Sequence, residues 1–285
     1  MTTLAFMSDL HIDVNNFTDY ETKTLIDLLK EEGVDHLHIA GDISNHHYQV
    51  SLPFLETLQQ HVSLTYNLGN HDMLDLTETD IEHLDFKIHE INTKKFLAFH
   101  GWYDYSFHSE KTEEQNLAFK NQFWFDRRLD RHSSDSQLTE ETLARLDDTL
   151  THYPEIDLVS MHFVPHQNFL MTHPKFIPFN AFLGSQAFHD LFVKHHIKDV
   201  IFGHAHRSYG SQMIDGINYH SRPLGYRREW DLTIDYVNQH PELNPTGTWN
   251  LSKRYHLVKR LPDYQNYTKK QLKEEFRRSM TIFNF

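Results

Sequence analysis

Six short apolar runs recur along the chain: TLAFMSD (3–9), VDHLHIAGD (34–42), SLTYNLGNH (63–71), KKFLAFHG (94–101), IDLVSMH (156–162) and DVIFGHAH (199–206). Rich in β-branched and aromatic residues and closed by Gly, Asn, Asp or His, they predict buried strands. Between the early runs the period lengthens to that of a helix. YETKTLIDLLKEEG sets Leu25, Leu28 and Leu29 on one face and stops at Gly33, a natural residue for the left-handed position past a helix end. VSLPFLETLQQ repeats the arrangement, and strand alternating with helix predicts an α/β protein with a mainly parallel sheet. Residues 102–153 are charged and aromatic, helical in spacing in their second half, and read as a cap-like insertion. From INYHSRPLG onward, shorter runs predict a second group of strands and a tail helix near KKQLKEEFRRSM, a C-terminal extension over about 229–285. No repeat or Pro/Gly linker divides the chain, so 1–285 is taken as one domain.

At 285 residues and 39% hydrophobic, the chain can bury a sizeable core. Cysteine is absent, which removes disulfides and thiolate metal sites; any metal must be held by oxygen and imidazole, and there are 24 histidines. A net charge of −13 opposes binding of long nucleic acid by phosphate neutralisation. The charge is uneven: residues 251–285 hold nine Lys/Arg against three Asp/Glu, and a basic helix docked on its own acidic body is expected. The opening MTTLAFMSDLH has no leader pattern, and no apolar run approaches the roughly 20 residues that cross a bilayer, so a soluble cytoplasmic protein without a membrane partner is expected. Composition does not set the oligomeric state.

Five of the six runs end in groups able to bind a cation: Asp9 and His11 in SDLH, Asp42 in AGD, Asn70 and His71 in GNHD, His162 in SMH, and His204 and His206 in GHAH. The carboxyl ends of parallel strands converge on one crevice, so these positions meet. In extended segments Asp9 and His11, and likewise His204 and His206, point the same way. Asp9, His11, Asp42, Asn70, His162, His204 and His206 make seven donors, too many for one tetrahedral ion and suited to two ions sharing a carboxylate. His166 offers a rival to His162 in MHFVPH; His162, at the end of the apolar run, is preferred.

The ordered set D-x-H, G-D, G-N-H-D, H and G-H-x-H resembles the calcineurin-like metallophosphoesterase superfamily over residues 5–210. The resemblance implies a four-layer fold, two mixed β-sheets flanked by helices, with the metals at the sheet edges. It puts Asp9, His11 and His206 on one ion, Asn70, His162 and His204 on the other, and Asp42 between them. It makes His71 the proton donor to the leaving group, with Asp72 placed either to orient it or to form a structural salt bridge. Two such cations make hydroxide from a bridging water near neutral pH and neutralise charge on the phosphoryl oxygens.

The expected function is metal-dependent hydrolysis of a small phosphoester, nucleotides among the candidates, by manganese, iron, zinc or nickel. A phosphodiester is preferred over a monoester because no Arg or Lys cluster is built into the motifs. A phosphomonoesterase or protein phosphatase of the same fold is the enzymatic alternative. A scaffold that retains the fold for protein–protein contact and a repair-type nuclease are the others considered. Arg207, Arg222, Arg227 and Arg228 are candidates to clamp phosphate, the alternative being surface ion pairs, and His100 and Tyr103 are candidates for the pocket wall, the alternative being core packing, with specificity expected in 102–153. The histidines without partner motifs are taken as solvated or packing residues.

Overall fold

A computed structural model describes residues 2–285. In chain order the strands are β1 (Thr3–Met7), β2 (His36–Ala40), β3 (Ser63–Asn67), β4 (Lys87–Ile91), β5 (Lys94–Phe99), β6 (Leu158–Met161), β7 (Asp199–Ile201), β8 (Gly210–Ile214), β9 (Ile217–Ser221) and β10 (Thr281–Asn284). The helices are α1 (Asp19–Glu31), α2 (Leu52–Gln59), α3 (Glu78–Leu84), α4 (Glu113–Phe123), α5 (Asp135–His152), α6 (Ala187–Lys194), α7 (Asp231–Gln239), α8 (Tyr255–Val258) and α9 (Pro262–Arg278).

Two mixed sheets form. The first has the order β10-β1-β2-β3, the second β4-β5-β6-β7-β9-β8; the inner strands run parallel and β10, β4 and β8 pair antiparallel to their neighbours. Strand alternation builds the layers. Leu4, Phe6 and Ala40 of the first sheet meet Phe96, Ala98, Leu158 and Ile201 of the second in an apolar seam. The opposite faces, Ala5, Met7, Leu37 and Ile39 on one side and Leu97, Phe99, Val159 and Val200 on the other, pack into separate cores under the flanking helices. This is the expected four-layer α/β arrangement.

Local signals account for the helices. Thr18 and Glu21 form a capping box on α1, and Gly33 follows its end at φ +64°. The basic tail helix α9 lies against α1, where Lys273 pairs with Glu31 and Arg277 with Glu31 and Glu32. Of the second group of strands expected from INYHSRPLG onward, β9 forms over Ile217–Ser221, but over 229–285 α7, α8 and α9 occupy the stretch and only β10 is extended. Its short apolar runs, such as Leu232, Tyr236 and Val237, recur at helical rather than strand spacing and pack into the core under the first sheet. Among the described residues no helix is long and apolar enough to cross a membrane.

Candidate metal centre

The inner strands of both sheets deliver their carboxyl ends to one place. β1 leads into Asp9 and His11, β2 into Asp42, β3 into Asn70 and His71, β6 into His162, and β7 into His204 and His206. Five of these residues, Asp9, His11, Asp42, His204 and His206, have positive φ, between 42° and 66°. Non-glycine residues pay for that conformation, and it concentrates where a site dictates geometry. The neighbouring glycines leave no spare room. A Cβ on Gly69 would stand 2.2 Å from Asp42 Oδ1, and one on Gly203 2.2 Å from Asp9 Oδ2.

Two donor groups result. Asp9, His11, Asp42 and His206 form one, and Asp42, His162 and His204 the other, the ligand atoms of each lying within 4.8 Å of one another. Asp42 belongs to both: its Oδ2 is 3.6 Å from His11 Nε2 and 3.3 Å from His162 Nε2. Asn70 joins the second group, with Oδ1 3.2 Å from His162 Nε2 and 3.1 Å from His204 Nδ1. All seven expected donors therefore face one buried volume.

The outward nitrogens of three imidazoles are tied, which aims the others inward. His162 Nδ1 pairs with the Ala40 carbonyl at 3.0 Å, His204 Nε2 with the Phe182 carbonyl at 3.1 Å, and His206 Nδ1 with Glu229 at 3.0 Å. His11 Nε2 and His206 Nε2 stand 2.9 Å apart. Burial holds His11 well below the ordinary histidine range and His204 down to about 3, so both present lone pairs. Burial opposes charge on His162 and His206 as well, but Asp42 lifts the first to about 9, and Asp9 with Glu229 lift the second to about 10. Facing imidazole nitrogens, a shared carboxylate and the glycine cradle fit a pair of divalent cations, whose binding would displace those protons.

His71 points Nε2 at this centre, 4.0 Å from Asp42 Oδ2. Its Nδ1 meets Asn45 Oδ1 at 2.9 Å, and the Asn45 amide donates to Asp13 at 2.8 Å, which fixes which way Asn45 faces. Asp72 does not orient His71. Its carboxylate instead accepts the backbone N–H groups of Asp42, Ile43, Ser44 and Gly69, at 2.7 to 3.2 Å, and so staples the loop after β2 to the loop after β3.

The assigned substrate contacts divide. Arg207 and Arg222 border cavities that reach His206. Arg227 faces elsewhere: it pairs with Glu21 at 2.6 Å and holds the Asn15 carbonyl, pinning its loop to α1. Arg228, exposed, pairs with Glu229 at 3.0 Å and lies over the Tyr226 ring. His100 is bound to Asp85 at 2.8 Å in a separate cavity, and Tyr103 is fully buried among Trp102, Phe163 and Phe182. Both ring residues follow β5, which carries none of the donors. His166 sits apart too, beside His189 and Asp215.

Four site residues escaped the sequence. Asp126 accepts from Asn70 Nδ2 at 2.6 Å, Phe125 stacks on His71 with centroids 3.7 Å apart, Tyr226 packs on His11 and His206, and Glu229 anchors His206. Phe125 and Asp126 belong to the insertion 102–153, which thus reaches the centre.

Residues 2–124 match the calcineurin-like phosphoesterase superfamily domain. No curated protein matches the chain. Among solved structures, phosphopantetheinyl hydrolase from Mycobacterium tuberculosis is 17% identical with a TM-score of 0.64, covering 80% of this chain and 91% of that one, a likeness of fold. A dimetal phosphatase from Danio rerio is 17% identical over 77% of this chain and 86% of that one, with a TM-score of 0.47. GAP50, the anchor in the inner membrane complex of Plasmodium, is 11% identical over 77% and 70%, with a TM-score of 0.44.

Proposed function

We propose that this chain, which belongs to the calcineurin-like phosphoesterase superfamily, hydrolyses a small phosphodiester with two divalent cations. One ion is held by Asp9, His11 and His206, the other by Asn70, His162 and His204, with Asp42 common to both. The observation that carries this is the membership of Asp42 in both donor groups. Bound there, the cations supply activation of water and neutralise charge on the phosphoryl group. The oxygen and imidazole donors suit manganese, iron, zinc or nickel, manganese being the first to test.

The chain's own groups do the rest. His71, with Nδ1 held by Asn45 and Nε2 turned to the centre, is placed to protonate the leaving alkoxide. Phe125 stacks on that ring with centroids 3.7 Å apart, and the Tyr226 hydroxyl lies 3.4 Å from its Nε2. A diester is favoured over a monoester because, of the four candidate arginines, only Arg207 and Arg222 border cavities that reach His206, while Arg227 is tied to Glu21 and Arg228 to Glu229. A monoester dianion asks for more fixed cations than this.

The test pairs elemental analysis with turnover of bis(p-nitrophenyl) phosphate and p-nitrophenyl phosphate by the manganese-loaded protein. Two ions per chain and faster diester cleavage are expected. Faster monoester cleavage overturns the diesterase assignment, and a chain that binds no paired ions overturns the hydrolase itself.

A further inference from the structure

Beside the metal centre lies a cavity of about 440 Å³ whose wall includes His206, Arg207 and Glu229 together with the rings of His173, Phe176 and Trp249. There Trp249 stacks on His173, with centroids 4.2 Å apart and planes 25° from parallel, and Phe176 meets Trp249 edge-on at 6.0 Å. Trp249 is 58% exposed, so packing does not explain its position. A large indole left open is a docking surface when it lines a cleft. Tyr209 adds a further ring, and the Arg207 guanidinium lies over it at 5.2 Å, without an ion-pair partner among the described residues. Asn250 and Ser252 supply hydrogen-bonding groups along the same wall.

We infer that this cavity receives the organic group of the substrate, and that the group is a nucleoside. This rests on the phosphoester reading above. The cavity is of the size that small-molecule sites take, roughly 300–1,000 Å³. Its parts answer a ligand that is flat, polar at the edge and anionic at one end: indole and phenyl faces for a base, side-chain amide and hydroxyl groups for its edge and sugar, and Arg207 beside His206 for the phosphate. Ser252 Oγ already donates to Asn250 Oδ1 at 2.6 Å, and a purely aliphatic alcohol would leave the Asn250 amide N–H groups and Arg207 without partners. A bare small ester would leave the aromatic rings uncovered.

The test compares thymidine 5′-monophosphate p-nitrophenyl ester with methyl p-nitrophenyl phosphate, which release the same phenolate, on the manganese-loaded protein. Wild type should favour the nucleoside ester by about tenfold or more in kcat/KM, and Trp249→Ala should remove most of that preference while leaving methyl ester turnover unchanged. Equal kcat/KM for the two esters in wild type, or a preference that survives both Trp249→Ala and Phe176→Ala, overturns the pocket but leaves the hydrolase standing. If neither ester is cleaved, the hydrolase reading fails and the pocket is judged by calorimetry with thymidine 5′-monophosphate. Binding weakened about tenfold or more by Trp249→Ala then supports it, and absent or unchanged binding overturns it.

Discussion

The side-chain amide of Asn70 donates to Asp126 Oδ1 across 2.6 Å, tying the loop after β3 to the insertion between β5 and β6. The bond fixes the rotation of the Asn70 amide, so that Oδ1 faces His162 and His204. Trp124 Nε1 donates to the other oxygen of Asp126 at 2.9 Å, and burial pushes this carboxyl up to about 6. Asp126→Ala should weaken one of the two ions by about 10–100-fold while the other stays bound. Titration of the purified protein with manganese, followed by counting bound ions, checks this. Loss of both ions together would mean that Asp126 supports the insertion rather than Asn70.

How much of this was legible in sequence follows from where each residue sits. Asp9, Asp42, Asn70, His162 and His204 end apolar runs, and strand direction alone brings such ends together. Asp126 and Phe125 carry no such mark. They lie in a short helical turn whose approach to Asn70 and His71 depends on how α4 and α5 pack, which periodicity does not encode. Asp72 was misplaced for a related reason: adjacency to His71 suggested a shared role, but successive residues point different ways, and its carboxylate turns inward to backbone N–H groups. The edge strands β4, β8 and β10 lack a continuous apolar run because each leaves several positions partly or fully exposed.

The place of Asp42 gives the most direct variant. Burial disfavours its charge, yet His162 and His71 hold the carboxyl well below the usual carboxylate range. Asp42→Asn keeps the volume and removes the charge shared by both donor groups. Bound metal should fall from two ions to one or none, and turnover by about 10²-fold or more. Elemental analysis and a bis(p-nitrophenyl) phosphate assay read the two effects, and an unchanged ion count refutes the shared carboxylate.

His71 and Asp72 should separate cleanly in a leaving-group series. His71→Gln should retain both ions and lose about 10²–10⁴-fold in kcat on alkyl esters, with a much smaller loss on p-nitrophenyl esters, whose leaving group needs no proton. Asn45→Ala should show the same leaving-group dependence more weakly, since it frees the Nδ1 side of the ring. Asp72→Asn should instead lower thermal stability and metal content with no leaving-group dependence, because its contacts are to the loops. A steeper dependence for Asp72→Asn than for His71→Gln reverses the assignment.

Gly203 tests the cradle. A methyl group there would stand 2.2 Å from Asp9 Oδ2 and 2.7 Å from Ser8 Oγ, so Asp9 must move. Gly203→Ala should cost about 1–3 kcal/mol of stability from overpacking and release the ion shared by His11 and His206. Gly216→Ala is the control, since a Cβ there meets nothing within 4 Å and suffers only the strain of φ +83°. It should lower the melting temperature without changing metal content, and metal loss in both variants would trace the effect to stability alone.

The insertion is also held from outside by a titrating clamp. His132 Nδ1 meets Glu78 at 2.9 Å and its Nε2 meets Glu141 at 2.9 Å, joining the segment before α5 to α3, while Arg131 pairs with the same Glu78 at 2.6 Å. Hydrogen bonds to Glu141 and Glu78 raise the pKa of His132 above its ordinary 6.5. A group whose folded pKa is raised lends stability in full below its unfolded value, and that support disappears as pH climbs through the folded value. Docking of the insertion should therefore be tightest below about pH 6.5 and loosen above it, modestly, because the ring is partly exposed and salt screens the pair. Proton NMR of the His132 ring should give a midpoint above 6.5 that drops in Glu141→Gln. Amide exchange at the start of α5, corrected for intrinsic rate, should accelerate over the same pH interval in wild type and not in His132→Gln. A midpoint at or below 6.5, or one indifferent to Glu141, would show that the two carboxylates do not grip a charged ring.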